Sequence, residues 1–139
     1  MPSNRVLVVD DDASILRLVA TILRRERYDV DTASGGREAI SKIALTLYDV
    51  IVLDLMMPGV TGLEVLRSFD VRIPHVRRVV VISAGSALEI ARSIDPNVFA
   101  SLRKPFDYFA LVNAVRGCID AARDPAPSGV PIPPVAAAA

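Results

Sequence analysis

The sequence predicts an α/β fold, with helices on both faces of a doubly wound parallel sheet of five strands. Segments with strand-like and helix-like patterns alternate along almost the whole chain, which is the order that repeated βα units produce. The strand-like segments are short, continuous aliphatic runs, as expected of strands that are covered on both faces. With 139 residues, the chain is long enough to form one domain around a single core.

In the first half of the chain, the strand at 6–9 is followed by apolar residues at helical spacing between 15 and 23, with arginines on the opposite face. Asp12 precedes this helix and is predicted to cap it. A short second strand is expected at 29–32. Two glycines follow it and precede a helix whose apolar residues run from 39 to 47.

The second half repeats the same alternation three times. Asp54 stands directly at the carboxyl end of the third apolar run and Ser83 at that of the fourth. The helix after the fourth strand is expected to stop before Asp95, because the residue before a proline disfavours the helical region. The remaining strands are expected at 50–53, 79–82 and 98–102, and the helices that follow them at 63–69, 88–94 and 111–119.

Composition excludes several classes of protein. The 16 basic and 16 acidic side chains balance to a formal net charge of zero, whereas a nucleic-acid-binding domain would show a basic excess. No apolar run approaches the length of a membrane span, and the amino terminus does not resemble a signal peptide. The one cysteine, Cys118, excludes an internal disulfide and is predicted to be a buried structural thiol. We therefore expect a cytoplasmic protein that binds neither nucleic acid nor membranes directly.

Polar side chains stand at the carboxyl ends of four of these strands, and in a right-handed doubly wound sheet those ends converge on one crevice. Carboxylates crowded there raise one another's pKa unless a cation neutralises them, and Mg²⁺ suits such a set of oxygen ligands. A hydroxyl and an ammonium group would bind a phosphoryl group, so the set is the one that in-line phosphoryl transfer onto a carboxylate requires. In chain order the residues are Asp10, Asp11, Asp12, Asp54, Ser83 and Lys104.

Four motifs lie at these strand ends: Val-Leu-Val-Val-Asp-Asp-Asp, Asp-Leu-Met-Met-Pro-Gly-Val-Thr-Gly, Ile-Ser-Ala and Lys-Pro-Phe. With them, residues 4–122 resemble the chemotaxis-regulator-like receiver domain of bacterial two-component response regulators. The resemblance implies a flavodoxin-like (βα)5 three-layer sandwich with strand order 2-1-3-4-5. Residues 124–139 are rich in proline and alanine and are predicted to be a disordered tail or linker.

The resemblance also implies a function and roles for individual residues. Asp54 would take a phosphoryl group from a histidine kinase or a histidine phosphotransfer protein, with Mg²⁺ or Mn²⁺, and so switch partner binding without turning over a separate substrate. Ser83 and Lys104 would bind the phosphoryl group, and the bond between Lys104 and Pro105 would be cis. The metal ligands implied are Asp10, Asp11, Asp54 and the backbone carbonyl of Met56, with Asp11 the more direct ligand of the acidic pair and Asp10 acting through water.

One position departs from the family pattern. Three residues before the lysine, where the family usually has a tyrosine or phenylalanine that rotates inward on activation, this chain has Ser101. We expect Phe99, placed on the same strand face, to take over that readout. The kinase would dock on the first helix and the loops round Asp54. The unknown output partner, or a second copy in a homodimer, would dock on the face formed by the predicted fourth helix, the fifth strand and the last helix.

Two other functions use similar chemistry or a similar fold. A phosphatase of the haloacid dehalogenase type also forms an aspartyl-phosphate with Mg²⁺, but its Asp-x-Asp-x-Thr or Val motif fails at Ser14, and the chain is too short for the usual cap. A flavodoxin-like cofactor binder would have a phosphate loop rich in Ser, Thr and Gly after the first strand. Three aspartates stand there, and they would repel a phosphate in the absence of a metal.

Overall fold

Five strands and four helices alternate along the part of the chain that the computed structural model describes, residues 3–68, 78–84 and 98–123. The strands are β1 (Arg5–Val9), β2 (Asp29–Ala33), β3 (Val50–Asp54), β4 (Val79–Ser83) and β5 (Val98–Arg103). The helices are α1 (Ala13–Arg25), α2 (Gly36–Leu45), α3 (Gly62–Arg67) and α4 (Tyr108–Arg123). The helix predicted at 88–94, the end of the third predicted helix at Phe69 and the segment 124–139 lie outside the described residues.

The strands form one parallel sheet in the order β2-β1-β3-β4-β5, which confirms the predicted topology. Each face of the sheet carries its own hydrophobic cluster. Leu23 of α1 and Leu111 of α4 are fully buried on one face, and Ala39 of α2 is fully buried on the other. Adjacent residues of β1 supply both clusters, Val8 to the first and Leu7 to the second. This two-sided burial explains why the strands read as unbroken aliphatic runs.

Four of the strands extend one residue beyond their predicted carboxyl ends. In β3 and β4 the added residues are Asp54 and Ser83, and their backbones pair with Ile82 and Arg103 of the neighbouring strands. Both residues are therefore held by the sheet and not by a loop. Parallel pairing also brings the carboxyl ends of the strands to one edge of the sheet.

Local residues set the ends of α1 and α2. Asp12 caps α1, as predicted, and one of its carboxylate oxygens accepts hydrogen bonds from the amides of Ser14 and Ile15 at 2.9 and 3.2 Å. The prediction that α2 continues to Leu47 is wrong. Thr46 adopts an extended backbone (φ −138°, ψ 134°), so the helix ends at Leu45 and the Leu47 side chain is 70% exposed.

A bulge in β5 contradicts the expectation that Phe99 and Ser101 share a face. Val79 of β4 pairs with Val98 and Val80 pairs with Ala100. Phe99 is therefore the extra residue of the bulge and is left out of this pairing. The Phe99 ring packs against the cluster that α1 and α4 cover, as does Ala100. Ser101 follows Ala100 directly and so points to the opposite face. Phe99 therefore cannot replace an aromatic side chain at Ser101 on the same side of the sheet.

Cys118 lies within α4 and is fully buried, as predicted for a structural thiol. Burial raises the pKa of the thiol from its ordinary value of 9.0 to about 12. Within the described residues, no helix has both the length and the apolar character needed to cross a bilayer.

Candidate functional site

The acidic residues predicted from the sequence meet at the carboxyl edge of the sheet. Asp10 directly follows β1, and Asp54 ends β3, the neighbouring strand. Carboxylate oxygens of Asp10, Asp11 and Asp54 lie within 4.8 Å of one another. Asp10 is fully buried, Asp54 is 2% exposed and Asp11 is exposed, so the cluster is closed on the sheet side and open to solvent through Asp11.

Lys104 joins the two buried carboxylates. It directly follows β5, and its Nζ lies 3.1 Å from Asp10 Oδ2 and 3.3 Å from Asp54 Oδ2. Burial disfavours the ammonium charge, but the hydrogen bonds and the attraction of the two carboxylates outweigh it and raise the pKa of Lys104 above its ordinary value. The lysine is therefore fully charged at neutral pH and neutralises part of the acidic cluster.

The second oxygen of each buried carboxylate is held by the loop that follows it. Asp10 Oδ1 accepts a hydrogen bond from the amide of Asp12 at 2.8 Å, and Asp54 Oδ1 accepts one from the amide of Met56 at 3.1 Å. Both contacts span two residues, which is the geometry of an Asx turn. Each carboxylate is thus fixed at both oxygens, by its own loop at Oδ1 and by Lys104 at Oδ2.

The electrostatic state of Asp54 favours a cationic partner. Burial raises the pKa of Asp54, the Met56 amide opposes that rise, the charge of Asp10 adds to it, and Lys104 again opposes it. The net direction is upward, so the single ammonium group does not fully compensate the buried charge. The three carboxylates offer hard oxygen ligands within reach of one ion, and this donor set fits Mg²⁺.

Ser83 and Pro105 border the cluster through the backbone. Ser83 is fully buried at the end of β4; its carbonyl accepts a hydrogen bond from the Lys104 amide at 3.0 Å, and its hydroxyl donates to the carbonyl of Ala84 at 3.3 Å. The peptide bond between Lys104 and Pro105 is cis. Ser101 is buried within β5, three residues before the lysine.

Sequence reasoning did not identify Gly62 as part of the site. A methyl group at Gly62 would lie 2.4 Å from the carbonyl oxygen of Asp54 and 2.6 Å from the Cα of Leu55. Only glycine therefore lets the start of α3 approach the backbone of Asp54 so closely. The available signal was a glycine at the first position of a helix, directly after the threonine that caps it.

Comparisons with known proteins agree with this arrangement. A family model described as the response regulator receiver domain matches residues 6–116. The transcriptional regulatory protein ResD of Bacillus subtilis is 36% identical over 117 residues, and TrcR of Mycobacterium tuberculosis is 34% identical over 115. These alignments cover 84% and 83% of this chain but 48% and 45% of the relatives. The chain therefore spans about half the length of the curated relatives it matches.

Solved structures show the same likeness in three dimensions. A CheY-like receiver domain protein from Methanospirillum hungatei superimposes with a TM-score of 0.78 at 25% identity, over 88% of this chain and 98% of that one. The receiver domain of the Francisella response regulator 1452 superimposes with a TM-score of 0.74 at 30% identity, over 86% and 99% of the two chains. In both cases the match covers nearly all of the other chain.

Proposed function

Because this chain belongs to the response regulator receiver domain family, we propose that Asp54 is the residue that accepts the phosphoryl group. One observation carries the proposal: Asp54 is a buried carboxylate at a strand end, with two further carboxylates and one lysine directly around it. Burial destabilises a charged carboxylate unless positive charge lies nearby. A cation and the groups that bind phosphate supply that positive charge.

We propose Mg²⁺, with Mn²⁺ as the alternative, as the cation. Bound Mg²⁺ would neutralise charge on the phosphoryl oxygens during transfer. The donor set supports this assignment, since three carboxylates lie within 4.8 Å of one another and Asp11 opens the cluster to solvent. The ligands we propose are Asp10, Asp11, Asp54 and the backbone carbonyl of Met56.

The chain's own residues then have distinct tasks in the transfer. An oxygen of Asp54 attacks the phosphorus of a phosphohistidine in line, and the bond from phosphorus to the histidine nitrogen breaks. Lys104 lies close enough to Asp54 to pair with an oxygen of the transferred group. The Ser83 hydroxyl supplies a further donor once it turns from Ala84. The cis bond at Pro105 belongs to the loop that carries the lysine.

As a receiver, this protein is a signalling phospho-acceptor, and we propose that it assists its own phosphorylation and dephosphorylation without turning over a separate substrate. The partners we propose are a histidine kinase or a histidine phosphotransfer protein, together with an output partner in the cytoplasm. ResD and TrcR are named as transcriptional regulatory proteins, and each is about twice the length that this chain matches. We accordingly propose that residues 4–122 are the receiver domain and that 124–139 form a tail or a linker.

The same assignment leaves one part of the switch atypical. We propose that Ser101 occupies the position of the usual switch aromatic and cannot perform its rotation. The side chain is small, it is 4% exposed, and Phe99 points to the other face of the sheet. The output face, formed by the helix predicted at 88–94 with β5 and α4, would then respond through other contacts.

Transfer of a phosphoryl group to Asp54 can be tested directly. The protein is incubated with Mg²⁺ and acetyl phosphate, and the intact mass is compared with that of Asp54→Asn and of Asp120→Asn, an exposed carboxylate on α4. We expect a gain of one phosphoryl group in the wild type and in Asp120→Asn, and none in Asp54→Asn. The same pattern is expected for a beryllofluoride adduct followed by fluorine NMR. A modification that persists in Asp54→Asn would overturn the assignment.

A further inference from the structure

We propose that Gly36, which belongs to a different βα unit, is a positioning residue for the phosphoryl site. By contacting the loop between β3 and α3, it keeps the Met56 amide in position to donate its hydrogen bond to Asp54. The inference rests on the proposed function of Asp54, but it concerns a residue that makes no contact with the acidic cluster.

Gly36 begins α2 and lies against Val60 near the end of the β3–α3 loop. A methyl group at Gly36 would lie 2.3 Å from the Val60 carbonyl oxygen, 2.7 Å from Val60 Cγ1 and 2.9 Å from Val60 Cβ. These separations are all inside van der Waals contact, so a side chain here would force one of the two segments to move. The absence of a side chain at Gly36 is what allows the loop to rest on the first turn of α2.

The loop is the segment that would yield. The first turn of α2 is held by Glu38, which accepts hydrogen bonds from the amide and the hydroxyl of Ser34 at 3.0 Å each, and by Ala39, which is fully buried. On the loop side, Pro58 and Gly59 are exposed and Val60 is only half-buried. The two segments also line a cleft of about 380 Å³, so part of the interface between them is open.

A displacement at Val60 would reach Met56 because the base of the loop is closed. The amide of Gly62 donates to the carbonyl of Leu55 at 3.2 Å, and Gly62 lies directly against the Asp54 backbone. Movement is therefore confined to the residues between Leu55 and Gly62, a stretch that includes both the exposed Met56 and the buried Met57. The hydrogen bond from the Met56 amide to Asp54 Oδ1 is 3.1 Å long, and the Met56 carbonyl is one of the proposed metal ligands.

The adjacent glycine provides a matched control. A methyl group at Gly35 would meet nothing within 4 Å, and the extended backbone there (φ −173°) suits any residue. Gly35→Ala and Gly36→Ala therefore add the same methyl group to neighbouring positions, one into open space and one into the loop. Gly35 is the N-cap of α2, where alanine is disfavoured, so an effect that comes only from a weakened start of the helix would appear in Gly35→Ala and not in Gly36→Ala.

Two measurements test the proposal. The first is Mg²⁺ affinity by calorimetry. We expect Gly36→Ala to weaken it by about tenfold, the low end of the loss seen when a residue that supports a metal ligand is replaced. Gly35→Ala should match the wild type. The second is the amide resonance of Met56 in the metal-free protein, which should move upfield in Gly36→Ala alone as its hydrogen bond lengthens.

A second variant keeps the test decisive if Gly36→Ala does not fold. Val60→Gly removes the side-chain part of this contact from the loop side, while the carbonyl of residue 60 remains, and it should weaken Mg²⁺ binding in the same direction. In the double variant the two losses should not add, since both substitutions act on one contact. Equal Mg²⁺ affinities and unchanged Met56 resonances in Gly36→Ala or Val60→Gly would overturn the proposal. If the wild type itself formed no Asp54-dependent adduct, the proposed function would fail, while the Met56 resonance would still decide the role of Gly36.

Discussion

Replacing Lys104 by methionine tests how the acidic cluster is stabilised without a metal. The substitution keeps most of the side-chain volume and removes the ammonium group that lies 3.1 Å from Asp10 and 3.3 Å from Asp54. At an effective dielectric constant of about 20, each of these contacts is worth about 5 kcal/mol, or about 10 kcal/mol in all. Burying the ammonium group costs several kcal/mol in return. We expect a net loss of about 3–5 kcal/mol in the free energy of unfolding, as for other buried ion pairs that lose one partner.

The other lysine of the chain serves as the control. Lys42 pairs with Glu38 at 3.3 Å on the surface of α2, where both side chains are more than a third exposed, and it also donates a hydrogen bond to the backbone carbonyl of Thr32 in β2. The exposed pair contributes about 1 kcal/mol or less and the hydrogen bond to Thr32 about 1.5–3 kcal/mol, so Lys42→Met should lose less stability than Lys104→Met, which leaves two buried carboxylates without their cation. The chain has no tryptophan, so urea unfolding is followed by far-ultraviolet circular dichroism at neutral pH without Mg²⁺.

Two conditions should restore stability to Lys104→Met. Protonation of Asp54, whose pKa is already raised by burial and by Asp10, removes the uncompensated charge, so the deficit relative to the wild type should shrink as the pH falls. Mg²⁺ should also reduce it by supplying the missing positive charge. In the wild type the raised pKa of Lys104 has the opposite pH dependence. Its contribution is complete below the ordinary lysine pKa and is lost as the pH rises through the higher folded value. A deficit equal to that of Lys42→Met, or one insensitive to both pH and Mg²⁺, would refute the reasoning.

Three further predictions concern residues around the site and in the core. Asp12→Ala should lower the free energy of unfolding by about 1 kcal/mol through loss of the cap and leave Mg²⁺ affinity nearly unchanged. Asp11→Ala should weaken Mg²⁺ binding and leave the free energy of unfolding nearly unchanged. Equal effects of the two variants on Mg²⁺ affinity would contradict this separation of cap from ligand. Cys118, with a pKa of about 12, should react with a disulfide reagent at pH 8 about a thousandfold more slowly in the folded protein than in urea, and similar rates would show that the thiol is accessible. Burial and the 2.7 Å hydrogen bond to Asp31 raise the pKa of Tyr48 from 10.0 to about 12, so its contribution is complete below pH 10 and lost between pH 10 and 12. That loss is at most about 3 kcal/mol and should be missing from Tyr48→Phe when the two unfolding curves are compared across this range.

Some elements were predictable because their signals are local. The aliphatic run of β1 is typical of a strand covered on both faces, and the Asp12 carboxylate caps α1 by accepting hydrogen bonds from the amides of Ser14 and Ile15. Both signals can be recognised from neighbouring residues alone. Leu47 and Phe99 were misplaced for the opposite reason. The end of α2 follows from the backbone of Thr46, and the face of Phe99 follows from a bulge that exists only through pairing of β5 with β4. A period-two pattern read along one strand contains no information about such a shift.

The sequence by itself determined which groups stand at the strand ends: two adjacent carboxylates after β1, one at the end of β3, a hydroxyl on β4 and a lysine after β5. Composition and strand pattern are short-range properties, and they are sufficient for that assignment. Only the tertiary structure decided that Lys104 contacts both buried carboxylates and that the other oxygen of Asp54 accepts a hydrogen bond from the Met56 amide. It also decided that the β3–α3 loop packs against Gly36. These distances depend on the register of the sheet and on the packing of loops from different βα units, which act between residues far apart in the chain.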